Sequence, residues 1–247
     1  MNQHINQMDL HTHTIASGHA YSTLTEMAKA ASQIPGLRLL GITDHAPGIP
    51  GAPQPIYFAN LSVVPHEMFG IRLLFGSEIN ITDYDGTLSL PERYINMLDF
   101  GIAGIHQHCY TPGTVEQNTA AVIGAISHPH IHLISHPDDG SVPLDYKAVV
   151  LAAKEHHTLL EVNNNSIRCE SPNRPDVRKN VLTMLSLCKQ YEVPVVMSSD
   201  AHFQTDIGNV SSSLSVLRQA NFPDELIMNY DMEKMLKYIG ISEIFAS

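Results

Sequence analysis

The chain is short of positive charge. Its 14 Lys and Arg residues stand against 25 Asp and Glu, giving a formal net charge of −11 with neutral histidine. Long nucleic acid or an anionic membrane would need a broad basic face, and the composition argues against one. A local phosphate site remains open. Cysteine is scarce too. Cys109, Cys169 and Cys188 show no CxxC spacing and leave one thiol without a mate, as expected of reduced thiols in a cytoplasmic protein. No apolar run approaches the roughly 18 residues of a membrane span, and the opening "MNQHINQ" lacks the apolar core of a secretory signal. There is no GxxxxGK[ST] loop and no GxSxG elbow, which disfavours P-loop nucleotide binding and serine hydrolysis. No linker-like or low-complexity stretch breaks the chain, so residues 1–247 are expected to form one domain.

Histidine is abundant instead, with 15 copies in 247 residues. It is the commonest metal ligand and the usual acid–base side chain near neutral pH. Its placement follows the secondary-structure pattern. Seven apolar, β-branched stretches read as strands: 5–13, 37–45, 71–80, 99–108, 131–137, 158–166 and 193–202. Helical patterns separate most of them, among them 22–34, where Thr23 and Glu26 suit a capping box. Residues 57–68 read as a short helix interrupted by Pro65, and 206–247 as mostly helical. Strands joined by helical crossovers imply a parallel sheet. Residues 46–57, "APGIPGAPQPIY", form a proline-rich loop expected on a pocket rim.

Metal-type side chains recur at one end of these strands: His11 and His13, Asp44 and His45, Glu78, His106, His136, then Asp200 and His202, with His19 in the first loop. In an α/β barrel the C-terminal strand ends converge on one mouth, whereas an open sheet spreads them along an edge. Positions i and i+2 of a strand share a face, so His11 with His13, and Asp200 with His202, suit joint coordination. All candidate donors are nitrogen or carboxylate oxygen, which fits zinc, manganese or iron and not a thiolate structural site.

The ordered segments "DLHTHTIASGHAYSTL", "ITDHAPG", "GSEINI", "AGIHQH", "LISHP", "LEVNNNS" and "SSDAH" resemble the motifs of the PHP (polymerase and histidinol phosphatase) superfamily, and most closely its YcdX-like phosphatases. The resemblance runs from Asp9 to about His202. It implies an α/β fold, a distorted (β/α)7 TIM-like barrel, with three divalent metal ions, zinc first and manganese or iron as alternatives. It assigns His11, His13, Glu78 and Asp200 to one ion. Glu78 bridges to a second with His106 and His136, and His19, His45 and His202 hold a third. The expected reaction is hydrolysis of a small phosphate monoester by metal-activated hydroxide, with Glu78 and Asp200 as catalytic carboxylates. A phosphodiesterase or nuclease, or a non-catalytic metal-bound module, are the alternatives.

Candidate substrate contacts are Arg168, Asn163 and His108, with Arg174 and Arg178 weaker because they fall in the following helical pattern. Asp9 and Asp44 are read as partners that orient ligand imidazoles. His4, His66, His128, His130, His132, His156 and His157 match no ligand motif and read as surface or loop-packing residues.

Overall fold

The computed structural model describes residues 4–172 and 174–245. Its elements in chain order are β1 (Met8–Asp9), α1 (Leu24–Ala31), β2 (Leu39–Ile42), α2 (Ile56–Asn60), β3 (Glu67–Met68), β4 (Ile71–Asn80), α3 (Glu92–Ile95), β5 (Phe100–Gly104), α4 (Val115–Ile126), β6 (Leu133–Ile134), α5 (Tyr146–His156), β7 (Leu159–Asn163), α6 (Asn164–Arg168), α7 (Val177–Tyr191), β8 (Val195–Ser198), α8 (Ser211–Gln219) and α9 (Met232–Tyr238), with short 3-10 turns between them. Among the described residues seven strands pair in parallel in the order β1-β2-β4-β5-β6-β7-β8. The sheet curls until its ends meet at a parallel bridge between Thr12 and Ala201, where the His13 amide donates to the Ala201 carbonyl at 2.9 Å. The expected seven-stranded α/β barrel is therefore present. No helix among the described residues is long and apolar enough to cross a membrane.

Local chemistry places the helices. Thr23 and Glu26 form the expected capping box, and Thr114 with Gln117 forms a second one at the start of α4. Two expectations need correction. The stretch 57–68 is not one helix: α2 ends at Asn60, and Glu67–Met68 turn back as β3, antiparallel to β4. Pro65 cannot supply a helical amide, which frees the segment to pair with the sheet. The sixth strand stops at Asn163, whose side chain accepts from the Ser166 amide and so caps α6.

The barrel interior has two layers. The lower layer is apolar, built by Met8, Leu10, Leu39, Leu74, Phe100, Ile102, Leu133, Leu159 and Val196, and Met232, Met235 and Leu236 of α9 pack against it as a floor. The upper layer is polar: Glu78, Glu161, Asn163 and Ser198 are at most 1% exposed. Interior positions near the C-terminal strand ends thus carry the chemistry, and those below carry the packing.

His132 is a correction to the surface reading. It is 8% exposed, stacks on Phe100 with ring centroids 5.6 Å apart, and its Nδ1 accepts from the Gly101 amide at 3.1 Å. Burial, aided by His130 and His128, depresses its pKa from 6.5 to about 4. The folded protein therefore holds this ring neutral where the unfolded chain protonates it. His132 has no pH effect above pH 6.5, a growing penalty as pH falls toward 4, and a full one below. Chemical denaturation at pH 7 and pH 4.5 should show His132→Asn losing about 2 kcal/mol less than the wild type on acidification. Equal losses would show that His132 is not held neutral.

Candidate metal centre

Glu78 lies at the centre of the mouth and is 1% exposed. Its position in β4 is fixed on both sides, by β2 through an isolated bridge to His45 and by β5 through Ile102. Five imidazoles meet its carboxylate. His45 Nδ1 is 2.9 Å, His11 Nε2 3.3 Å and His13 Nε2 3.6 Å from Oε2. His136 Nε2 is 2.9 Å and His106 Nε2 3.2 Å from Oε1, which also accepts from Ser135 Oγ at 2.8 Å. Asp200 forms a second focus, with His13 Nε2 at 3.3 Å, His202 Nδ1 at 3.4 Å and His11 Nε2 at 3.8 Å from Oδ1. The His19 ring joins at the open side, 4.9 Å from the rings of both His45 and His202.

All nine expected ligand residues therefore converge. Their donor atoms fall into three overlapping groups: His11, His13 and Asp200; His45, Glu78 and His106; and His13, His45 and His202. This division differs in part from the one the resemblance implies. His45 takes the place of His136 beside Glu78 and His106, and His13 that of His19 beside His45 and His202.

The ring nitrogens test whether cations fit here. His11 Nε2, His13 Nε2, His45 Nδ1 and His106 Nε2 are buried with no hydrogen-bond partner. Orphaned buried polar atoms are costly. For three of these rings the opposite nitrogen is anchored: His11 Nδ1 by Glu161 at 2.9 Å, His13 Nδ1 by Ser17 Oγ at 3.1 Å and His106 Nδ1 by Asn80 Oδ1 at 2.8 Å. A neutral imidazole that donates from Nδ1 presents a lone pair at Nε2. Lone pairs aimed at shared points beside two carboxylates suit a divalent cation.

The electrostatics agree. Burial pushes the Glu78 carboxyl up, but His11, His106 and His45 outweigh it and hold the group well below the usual carboxylate range. Burial pushes His11 down, yet the charges of Glu78, Glu161 and Asp200 hold it well above the ordinary imidazole value, so without an ion a proton occupies the position that a divalent cation would take by displacing it. His13, with burial and His45 acting together, is held well below. The backbone is strained at two of these residues, with φ of +29° at His136 and +55° at Asp200. Left-handed backbone at a non-glycine residue costs on the order of 1–3 kcal/mol and clusters at functional sites.

A cavity of about 470 Å³ opens beside the cluster, bordered by His19, His45, His106 and His136 on one side and by Ile49, Pro50, Ile105, Val142, Asp139 and Arg174 on others. His108 is exposed and borders it. Asn163 is buried and donates to Glu161 at 3.0 Å and to Asp200 at 3.3 Å, so it holds carboxylates and does not face the cavity. Arg168 is turned elsewhere, toward Asn165 at 3.1 Å and Asp206 at 3.6 Å, because α6 carries it outward. Arg178 bonds Gln219, whereas Arg174 precedes α7 and faces the cavity. Asp44 reaches His13 only through Ser17, and Asp9 holds the Ser199 and Gly208 amides that fix the segment carrying Asp200.

No profile of a known protein family matches the chain. A probable phosphatase of Clostridium novyi (strain NT) is 42% identical over 232 residues, covering 94% of this chain and 93% of the relative. A probable phosphatase of Caldicellulosiruptor saccharolyticus is 44% identical over 235 residues, covering 95% and 96%. The chain belongs to this family of probable phosphatases. Its fold is that of histidinol phosphate phosphatase from Lactococcus lactis, solved with zinc, L-histidinol and phosphate, at a TM-score of 0.58 and 14% identity over 88% of this chain and 95% of that one.

Sequence reading missed Glu161, which is fully buried and accepts from the His136 amide at 2.7 Å while anchoring His11. Its signal was present: a charged residue inside the apolar strand "LLEVN" must be paired. Glu161→Gln keeps the shape and loses the charge. It should weaken zinc binding 10- to 100-fold in competition with a chromogenic chelator; unchanged affinity in a folded variant would remove Glu161 from the centre's support.

Proposed function

We propose that the chain is a metal-dependent phosphatase that hydrolyses a phosphate monoester of a small molecule, in the manner of the YcdX-like branch of the PHP superfamily. The observation that carries this reading is the convergence of four orphaned ring nitrogens with Glu78 and Asp200 at the wall of a cavity of small-molecule size. His11, His13, His19, His45, Glu78, His106, His136, Asp200 and His202 would hold three divalent ions, with zinc first and manganese or iron as alternatives. Bound there, the ions supply Lewis acidity that activates water and offsets charge on phosphate oxygens.

The protein's own groups do the rest. Burial works against ionisation of Asp200, but His11, His13 and His202 hold its carboxyl far below the usual range. Asp200 therefore enters the reaction as a carboxylate suited to holding a cation, and is too weak a base to serve as a proton acceptor. Glu78 holds imidazoles on both of its oxygens and so spans two halves of the centre. Arg174 takes the phosphate-contact role expected of Arg168. Its Nε is buried without a hydrogen-bond partner, 4.0 Å from Asp139, while Nη2 lies 3.3 Å from Asp138. A guanidinium at the cavity wall suits a phosphate oxygen. His108 and the apolar wall of Ile49, Pro50, Ile105 and Val142 would contact the leaving group. The net charge of −11 weighs against long nucleic acid as substrate.

Elemental analysis after reconstitution with zinc, paired with p-nitrophenyl phosphate turnover by the same sample, tests the reading. About three ions per chain with turnover supports it, and no bound metal or no turnover with any of the three metals would sink it. In the active protein Arg174→Ala should lower kcat/KM 10- to 100-fold, the worth of a charged hydrogen bond, while Arg168→Ala stays within about twofold. The reverse order would restore Arg168 as the phosphate contact.

A further inference from the structure

The proline-rich segment 46–57 contributes none of the expected metal ligands, yet it is fastened to the centre at both ends. Its first residues follow His45 directly. The Asn80 side-chain amide donates to the carbonyls of Ala46 at 3.3 Å and Pro47 at 3.1 Å, and its Oδ1 accepts from His106 Nδ1 at 2.8 Å. Because the NH2 group serves two backbone carbonyls, the oxygen must face His106, which fixes that ring's tautomer. At the far end Tyr57 donates its hydroxyl to Asp44 Oδ2 at 2.7 Å. Asp44 Oδ1 accepts from Ser17 Oγ at 2.6 Å, and Ser17 Oγ lies 3.1 Å from His13 Nδ1 and accepts from the His45 amide at 3.1 Å. With its own proton committed to Asp44, Ser17 can only accept from His13, and this fixes the second tautomer.

The middle of the segment is clamped by close backbone approach. Gly18 and Gly51 both have positive φ, +82° and +87°, and a Cβ on Gly18 would lie 2.4 Å from the Gly51 carbonyl oxygen. Only glycine permits that contact. Between these fastenings lie Ile49 and Pro50, which form part of the cavity wall.

We propose that segment 46–57 is a positioning element for the metal centre, tied to His13 through Tyr57, Asp44 and Ser17 and to His106 through Asn80, so that the substrate wall and the donor nitrogens move as one unit. The proposal rests on the metal-dependent reading above. Tyr57 is thus a positioning residue that acts on a donor atom through two intermediates without touching substrate.

Cobalt(II) titration of the full-length protein followed by visible absorption tests this, because d–d bands report ligand geometry independently of turnover. Tyr57→Phe keeps the ring and removes one hydroxyl, so without metal it should give the wild-type circular dichroism spectrum with a melting temperature lower by several degrees, for the lost hydrogen bond to Asp44. It should weaken cobalt binding about tenfold and alter the bands. Ser17→Ala should do the same, and the double variant should be no worse than Ser17→Ala alone, since both cut one chain. Wild-type affinity and bands in Tyr57→Phe would overturn the proposal, as would additive losses in the double variant. If Ser17→Ala fails to fold, Tyr57→Phe decides alone. Failure of the wild type itself to take up cobalt would overturn the underlying metal reading and this proposal with it. Normal uptake by the wild type with an unaltered Tyr57→Phe variant would overturn only the proposal.

Discussion

One carboxylate sets the terms for this structure. Glu78 is almost wholly removed from water, and an ionised group in that position is stable only with partners on every side. Five imidazoles supply them, drawn from segments after β1, β2, β5 and β6. The rings crowd one another as well: His13 lies 4.3 Å from His45 and 4.4 Å from His202, which belongs to the Asp200 side. Protonated rings so packed repel, which helps hold His13 neutral, while the carboxylates favour the protonated form of His11 and His136. The upper barrel layer is therefore a place where charge has to be balanced by geometry.

The balance is kept by an outer ring of hydrogen bonds. Glu161, Ser17 and Asn80 each hold the far nitrogen of a different histidine, and each is held in turn. Glu161 accepts from the His136 amide and from Asn163, Ser17 donates to Asp44, and Asn80 donates to two loop carbonyls. Rotamers locked in this way cost little further entropy when a ligand arrives, which is how a site gains affinity without new contacts. The left-handed backbone at His136 is sustained by the same network, since the His136 amide is itself one of Glu161's donors.

Much of this was legible in the sequence, for a physical reason. Parallel strands buried on both faces read as apolar runs, so a histidine or carboxylate at the end of one stands out, as with "ITDH" and "LISHP". The recurrence of that placement in successive strands gave the barrel and the converging ligands together. The outer ring was harder to see. Ser17 and Asn80 are common residue types whose roles depend on which loop folds back on them, and that is a tertiary fact. Arg168 was misplaced because "VNNNS" looks like strand running into loop, while Asn163 in fact caps α6, and one helical turn swings the guanidinium outward. Arg174 was discounted as helical, yet the helix begins only at Val177.

The seam of the barrel has a consequence for the chain as a polymer. β1 and β8 meet through the bridge between Thr12 and Ala201, supported by Asp9 on the Ser199 amide, a contact spanning 190 positions. His11 and His13 stand on one side of that seam and Asp200 on the other. An ion shared among them is topologically a cross-link, closing a loop that contains nearly all of the described fold. In the chain-entropy account, a cross-link around about 100 residues removes some 4.7 kcal/mol of freedom from the unfolded ensemble, and longer loops add to that slowly. A centre loaded in that way would act as the clasp of the barrel.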